Sequence, residues 1–275
     1  MKHWDIEQVN WDKFDPSLID ADIVPLIKTA AVVERNSVDY TVYLTNVFGH
    51  DPELTKLFSK WEDEEVQHGE TLGRWAMMAD PAWDYQESYK RFRNFYKIDL
   101  KTDHSIRGSQ AGEFIARAMV EVGTSSYYSA LADYVKEPVL KEICRRIAGD
   151  EYRHYKLFYD YAKLYLKSQK LSRLQRARIA LGRIIESQDD ELASAFHATN
   201  EPYGMPYNHK RCIALYMEKA MSLYKIHHIV RVVNMVCKVI GWMPSEKWQR
   251  YLSKLILMII NKQQKAYTKQ VLSII

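Results

Sequence analysis

Two stretches of this chain carry the same spaced set of residues, and that duplication restricts the fold more than any other feature. Ala31, Val33, Glu34, Tyr40 and Leu44 recur as Ala118, Val120, Glu121, Tyr127 and Leu131 at an offset of 87. Pro52, Leu54, Glu65 and His68 recur as Pro138, Leu140, Glu151 and His154 at an offset of 86. Each copy therefore has a glutamate, then turn signals, then Glu-x-x-His. The apolar residues around these positions repeat with a helical period, and no strand alternation competes with it. Two helical hairpins of one design follow one another along the chain.

Punctuation divides the chain further. A first helix is predicted from about Pro25 to Val47, ending at Gly49-His50-Asp51-Pro52. A second runs to about Met78 before Asp80-Pro81. Residues 80–106 form a polar, aromatic connection with a short helix near Gln86 to Tyr96. A third helix spans about Arg107 to Val135 and closes at Glu137-Pro138, and a fourth reaches about Leu166. Beyond Ser168 come a charged helix to about Ala198 and a break at Asn200-Glu201-Pro202-Tyr203-Gly204-Met205-Pro206. One or two long basic helices follow, punctuated by Gly241 and Pro244. The expected fold class is all-α. Short, long and short connections describe a ferritin-like four-helix bundle with a long crossover between helices 2 and 3 and extra C-terminal helices. Residues 1–168 would form the bundle with its N-terminal segment. Residues 169–275 would form a C-terminal helical extension, basic from 206, packed on it.

Composition removes other classes. With 275 residues, 47% of them hydrophobic, 27% charged, and only 10 Gly and 8 Pro, the chain is neither disordered nor collagen-like. Three cysteines without a CxxC pair argue against a disulfide framework or zinc ribbon, and a reducing compartment is expected. MKHWDIEQVN has no apolar core of a signal peptide, and the run Leu255 to Ile260 is too short to span a bilayer, so a cytoplasmic location is expected. The net charge of +4 hides an asymmetry. From Pro206 onward twelve Lys and Arg face two acids, a balance of +10, and the preceding residues carry −6.

The chemistry lies in the repeat. On the second helix Leu54, Leu57, Phe58, Trp61, Leu72 and Trp75 share a face with Glu65 and His68. On the fourth, Leu140, Ile143, Ile147, Leu157, Phe158 and Tyr161 share one with Glu151 and His154. Glu34 is expected among Ile27, Ala30, Ala31, Val38 and Val42, and Glu121 among Phe114, Ala118, Thr124 and Tyr128. Equal helical arms bring each pair of acids to one level, at about 1.5 Å of rise per residue. Four buried carboxylates at one height repel each other and raise each other's pKa. Two divalent cations would neutralise them, and oxygen and imidazole ligands without thiolate suit iron or manganese better than structural zinc. The alternative is a degenerate bundle that keeps these groups as a polar network.

Residues from about 20 to 165 resemble the ferritin-like di-iron superfamily, and within it the soluble acyl-[acyl-carrier-protein] desaturases. Trp61-x-x-Glu64-Glu65-x-x-His68-Gly69 is similar to that family's first Glu-x-x-His motif, with Gln67 in place of its usual arginine. Asp150-Glu151-Tyr152-Arg153-His154 resembles the second, and Glu121-Val122-Gly123-Thr124 the third-helix segment. The resemblance implies Glu34, Glu65, His68, Glu121, Glu151 and His154 as ligands of two iron ions, with Glu65 and Glu151 bridging. It implies that Thr124 sits beside the oxygen site, the alternative being a hydroxyl bonded back to its own helix. Glu64 and Asp150 would accept hydrogen bonds that fix the histidine tautomers, or else lie on a solvated face. Gly123 would leave space near the metals or ease packing. The implied activity is oxygen-dependent desaturation, with an acyl carrier protein presenting the substrate, an external donor such as a ferredoxin supplying electrons, and a homodimer by analogy.

Other readings use the same residues. A hydroxylase or N-oxygenase would share the core. A ferroxidase, storage or peroxide-scavenging protein needs a shorter chain, or rubredoxin-type cysteines that are missing here. In a ribonucleotide reductase radical subunit a tyrosine would occupy the place of Leu72. The basic C-terminal region is expected to dock an acidic carrier or electron donor through Lys219, Lys225, Arg231 and Lys238. It could equally lie on a membrane surface through Ile229, Val232, Val233, Val236, Val239 and Ile240. No nucleic acid is favoured. His227 and His228 are read as structural because adjacent helical residues point apart. The 19 tyrosines are read as packing residues, and Trp4 and Trp11 as electron conduits only by conjecture.

Overall fold

A computed structural model describes residues 4–186 and 190–273, and among these all regular structure is helical. The first hairpin consists of α1 (Val24–Arg35), α2 (Ser37–Val47) and α3 (Pro52–Ala79). The connection carries α4 (Tyr85–Phe95). The second hairpin is α5 (Gln110–Tyr134) and α6 (Pro138–Tyr165), and its two arms make the most extensive helix contact in the molecule. Beyond it lie α7 (Arg173–Glu186), α8 (Asp190–Asn200), α9 (His209–Ser222), α10 (Ile226–Ile240) and α11 (Glu246–Leu272).

The duplicated turn chemistry explains why both hairpins close alike. Asp51 accepts hydrogen bonds from the N–H groups of Glu53 and Leu54 at 2.9 and 3.0 Å, with Pro52 opening α3. Glu137 accepts from Val139 and Leu140 at 3.1 and 2.7 Å, with Pro138 opening α6. Proline at the first helical position sacrifices no bond, and the carboxylate satisfies orphan donors. Gly49 and His50 both take positive φ, 67° and 58°, which turns the chain sharply from α2 into α3.

Two apolar clusters fill the molecule between these helices. One gathers Ile27, Leu72, Trp75, Leu131, Leu140 and Ile143, from the start of α1, the end of α3, the end of α5 and the start of α6. The other gathers Leu44, Leu54, Phe58, Trp61, Phe114 and Phe158, from the opposite ends of the four arms. The turn of the first hairpin thus lies at the end of the molecule away from the turn of the second. Close approach of α1 and α3 requires Gly69, because a Cβ there would lie 2.6 Å from the carbonyl oxygen of Ala31.

Two boundaries depart from the sequence expectation. The first helix is broken at Asn36, where i→i+3 bonds (Asn36 to Val33 at 3.0 Å, Asp39 to Asn36 at 3.1 Å) replace the regular ladder. Buried Asn36 donates to Glu191 at 2.7 Å and accepts from Arg93 at 3.3 Å, so its partners lie far along the chain. The break shifts the phase of α2. Val38 and Val42 are exposed rather than beside Glu34, and Tyr43, Leu44 and Val47 are buried instead. Within the predicted helix from 169 to 198 the described residues are helical over α7 and α8, and residues 187–189 between them lie outside the described ones. The basic tail forms three helices rather than one or two, with an additional break near Leu223 and Tyr224.

The C-terminal helices lie on the bundle: α8 packs on α1 and α4, and α7 and α10 pack on α5. The apolar face of α10 is consumed in this packing. Ile229, Val233 and Val239 are buried, and Val232, Val236 and Ile240 are half-buried, so these six do not form a membrane face. Lys219 is tied to Asp20 at 3.1 Å and to the Tyr134 hydroxyl at 3.0 Å, which removes it from the expected docking set. No helix among the described residues is long and apolar enough to cross a membrane.

Glu137 joins three parts of the fold: besides capping α6 it accepts from Trp75 Nε1 at 2.8 Å and from the Asp15 N–H at 3.2 Å. Glu137→Ala should lower the unfolding free energy by about 2–4 kcal/mol, combining a lost cap with buried donors left unpaired. Urea denaturation checks this, and a change within about 0.5 kcal/mol would mean that the carboxylate is dispensable.

Candidate metal centre

Glu34 of α1, Glu65 and His68 of α3, Glu121 of α5, and Glu151 and His154 of α6 are all buried and meet between the two apolar clusters. They form two groups, Glu34, Glu65, His68 and Glu151, and Glu65, Glu121, Glu151 and His154. Within each, one ligand atom per residue lies within 4.8 Å of the others. Glu65 and Glu151, the pair that the resemblance implied as bridges, belong to both groups. The structure brings all six sequence-predicted ligands together.

The imidazoles are set by carboxylates on the opposite hairpin. His68 Nε2 lies 3.0 Å from Asp150 Oδ2, and His154 Nε2 lies 2.9 Å from Glu64 Oε2. With cations bound, each bond would keep the proton on Nε2 and leave the Nδ1 lone pair facing the centre. His68 Nδ1 lies 3.1 Å from Glu151, and His154 Nδ1 lies 2.9 Å from Glu65. Neither contact runs along a hydrogen-bond direction. Both Nδ1 atoms, together with Glu65 Oε1, Glu121 Oε1 and Glu151 Oε1, are buried without a hydrogen-bond partner among the described residues. Buried polar atoms normally have partners, and five orphans converging on one point fit a pair of bound cations. Buried Glu and His groups here could hold metal; oxygen and imidazole donors without thiolate match iron or manganese.

Thr124 lies beside the ligand cluster and also reaches back to its own helix. Its hydroxyl donates to Glu151 Oε2 at 2.7 Å, closer than its 3.4 Å contacts to the carbonyls of Val120 and Glu121. Gly123 does neither thing expected of it: it is exposed, and a Cβ there would meet nothing within 4 Å.

Several surrounding groups were not singled out as site residues. Tyr128 donates a short hydrogen bond to Glu34, and its place on the Glu121 face two turns further on was the available signal. Trp4 Nε1 donates to Asp150 at 2.6 Å, and its ring stacks on His68 with centroids 6.2 Å apart. Gln67, the residue that replaces an arginine in the first motif, holds Trp4 by donating to its carbonyl at 3.0 Å. Arg153 pairs with Asp150. Nothing in local spacing could have linked Trp4 to a residue 146 positions away.

Without cations, protons must balance the charge. Burial, with Glu151 and Glu65 beside them, raises the carboxyls of Glu34 and Glu121 well above the usual range. Burial would also raise Glu151 and Glu65, but the imidazoles on each side hold Glu151 well below its ordinary value and Glu65 below it too. Burial alone would depress His68, yet Glu151 and Glu65 outweigh it and push its pKa up to about 10. His154 is raised well above 6.5 by Glu151, Glu64 and Glu65 against the same burial. Two neutral carboxyls, two carboxylates and two imidazoliums sum to zero, as do four carboxylates, two neutral imidazoles and two divalent cations.

The other cluster of potential ligands, Asp133, His227 and His228, overturns the premise that the adjacent histidines point apart. Both reach Asp133 Oδ2, at 2.8 and 3.1 Å, with ring centroids 4.0 Å apart, because they lie in the first turn of α10 against the end of α5. The Lys225 N–H donates to His228 Nδ1 at 3.0 Å, so Nε2 carries the proton that binds Asp133 and has no lone pair for a cation. This cluster ties α10 to α5, in keeping with a structural role.

No protein-family model matches the chain, and no curated protein matches it.

Loading two divalent cations should release about four protons, and apparent affinity should rise with pH. A pH-indicator titration in weak buffer measures this, and no net release would place the cations elsewhere. In the metal-free protein the stabilisation from His68 is fully present below 6.5 and is lost as pH rises through about 10. The raised carboxyls of Glu34 and Glu121 act in the same direction, so the apo form should lose stability on the alkaline side more steeply than the loaded form. Asp150→Asn should weaken metal binding about 10–100-fold, read by competition with a chelator.

Proposed function

We propose that this chain is an oxygen-dependent di-iron oxidase on a ferritin-like four-helix bundle, and that its reaction is desaturation of an acyl chain. The observation that carries the reading is the pair of ligand groups sharing Glu65 and Glu151, each completed by one terminal glutamate and one histidine. Two reduced irons held there by Glu34, Glu65, His68, Glu121, Glu151 and His154 would supply the oxygen chemistry needed to attack an unactivated C–H bond. In the overall reaction two hydrogens leave adjacent carbons and dioxygen becomes two waters. The substrate's two hydrogens supply two electrons and two protons, an external donor of ferredoxin type supplies two more electrons, and solvent supplies the other two protons.

The chain's own residues have definable tasks. Glu64 and Asp150 hold both histidines in the ligating tautomer. Tyr128 orients Glu34 through its hydroxyl. Thr124 Oγ1 can hold or pass a proton beside Glu151, at 2.7 Å. Phe58, Trp61, Phe114 and Phe158 wall one side of the centre with apolar surface that excludes water. A cleft of about 560 Å³ between α5, α6 and α10 carries Arg145, Arg231 and Lys238, and its charge suits an acidic acyl carrier. In this reading Arg231 and Lys238 serve the docking role, and Lys219, paired with Asp20, does not.

The test is single-turnover oxidation of an acyl-carrier-protein substrate by iron-loaded protein with a reductant, followed by mass spectrometry. Loss of two hydrogens supports desaturation, gain of one oxygen supports the hydroxylase reading, and iron uptake far above two per chain supports storage. Thr124→Val should lower turnover about 10²-fold with iron content unchanged, while Thr124→Ser should retain most activity. Equal rates for both variants would leave the hydroxyl without a role.

A further inference from the structure

α11 uses only one of its faces inside the molecule. Leu252, Ile256, Leu257 and Ile260 pack against Ile229, Val233 and Cys237 of α10. Gln264 and Thr268 donate to Glu218 of α9 at 3.1 and 3.0 Å. On the outer side Trp248, Tyr251, Leu255, Met258 and Ile259 follow one another at helical spacing, and all are exposed. Trp248 is 60%, Tyr251 59% and Met258 61% accessible. Trp242 and Met243, in the turn before α11, extend the same apolar character. Single exposed apolar residues are ordinary, whereas a continuous stripe marks a surface that meets something.

The charges beside the stripe say what it meets. Residues 246–272 hold six Lys and Arg and one acid, Glu246. Lys247, Lys254 and Lys265 share a row along one shoulder of the stripe, and Lys262 and Lys269 continue its line toward the C-terminus; all five are exposed. Between the start of α10 and α11 lies a groove of about 500 Å³ with Ile226, Leu257 and Met258 as its floor and Lys254, Lys262 and Lys265 at its rim.

We propose that the outer face of α11 seats the protein on an anionic lipid bilayer, in the plane of the interface. Trp248 and Tyr251 suit the headgroup level, where an apolar ring with a polar edge is favoured. Leu255, Met258 and Ile259 enter the acyl boundary, while the lysines extend along the surface to lipid phosphates. A second copy of the chain fits the same face poorly, since an antiparallel two-fold contact sets lysine row against lysine row, and a parallel one offers the row no acid among residues 247–272. The inference is independent of the metal centre and of the oxidase reading. It transfers the membrane-surface role from α10, whose apolar residues are inside, to α11.

The experiment is co-sedimentation of the full, metal-loaded chain with vesicles of phosphatidylcholine alone and of phosphatidylcholine mixed with phosphatidylglycerol, across a salt series. Binding is expected only with phosphatidylglycerol, falling as salt rises, with a blue shift of tryptophan emission. Lys254→Gln/Lys262→Gln/Lys265→Gln should weaken it on the order of 100-fold. Trp248→Ser/Met258→Ser should abolish the emission shift, and circular dichroism checks that both variants stay helical. Equal binding to both vesicles, no binding to either, or unchanged binding by the lysine variant would overturn the proposal. Loss of self-association in Trp248→Ser/Met258→Ser without any vesicle binding by the parent chain would instead assign the face to a second copy.

Discussion

Four carboxylates brought to one height inside a helical molecule cannot all stay ionised without cations, and the architecture around them follows from that constraint. Each buried, uncompensated charge costs several kcal/mol. The six groups meet between one apolar cluster around Ile27, Leu72, Trp75 and Leu140 and another around Phe58, Trp61, Phe114 and Phe158. Antiparallel hairpins with equal arms put the acids opposite each other. Gly69 lets α1 approach α3 closely enough for Glu34 to join, and Tyr128 from the second hairpin fixes that glutamate. Asp150 and Glu64 cross between hairpins to hold the opposite histidines, so the centre also fastens the two halves together.

The duplicated pattern made most of this legible in the sequence. Helical period, turn chemistry and the matched arms located all six inward-facing groups, because each of those signals is local. Asn36 was not legible, since the residues that stabilise its break, Arg93 and Glu191, belong to the connection and to α8. Its effect on Val38 and Val42 followed, as a continuous helix would have turned both inward. Trp4 escaped for a related reason: a tryptophan near the N-terminus carries no spacing signal, and only packing reveals its partner. Tyr128 stood on the Glu121 face in the sequence, but nothing local named Glu34, 94 positions away, as its partner. The histidine pair of α10 shows that a rule about adjacent residues fails in a first helical turn, where both rings can bend to one carboxylate.

The C-terminal third divides its tasks between helices. α8 and α10 complete the burial of the two hairpins, which explains why the valines of α10 are inside although they stand among basic residues. The positive charge of the tail is then left on two surfaces of different character. One is a polar cleft with Arg145, Arg231 and Lys238, and the other is the aromatic and aliphatic stripe of α11 with its lysines. A polar cationic cleft suits an acidic protein, and an apolar stripe with cationic shoulders suits a lipid interface.

The proposed chemistry requires two cations shared by Glu65 and Glu151. Anomalous diffraction from crystals of iron-loaded protein tests it most directly. It should show two peaks about 3.5–4 Å apart, bounded by the six side chains, with both histidines bound through Nδ1. A fully loaded crystal with no anomalous density between Glu65 and Glu151, and with Glu34 and Glu121 still held as neutral hydrogen-bonded acids, would contradict it.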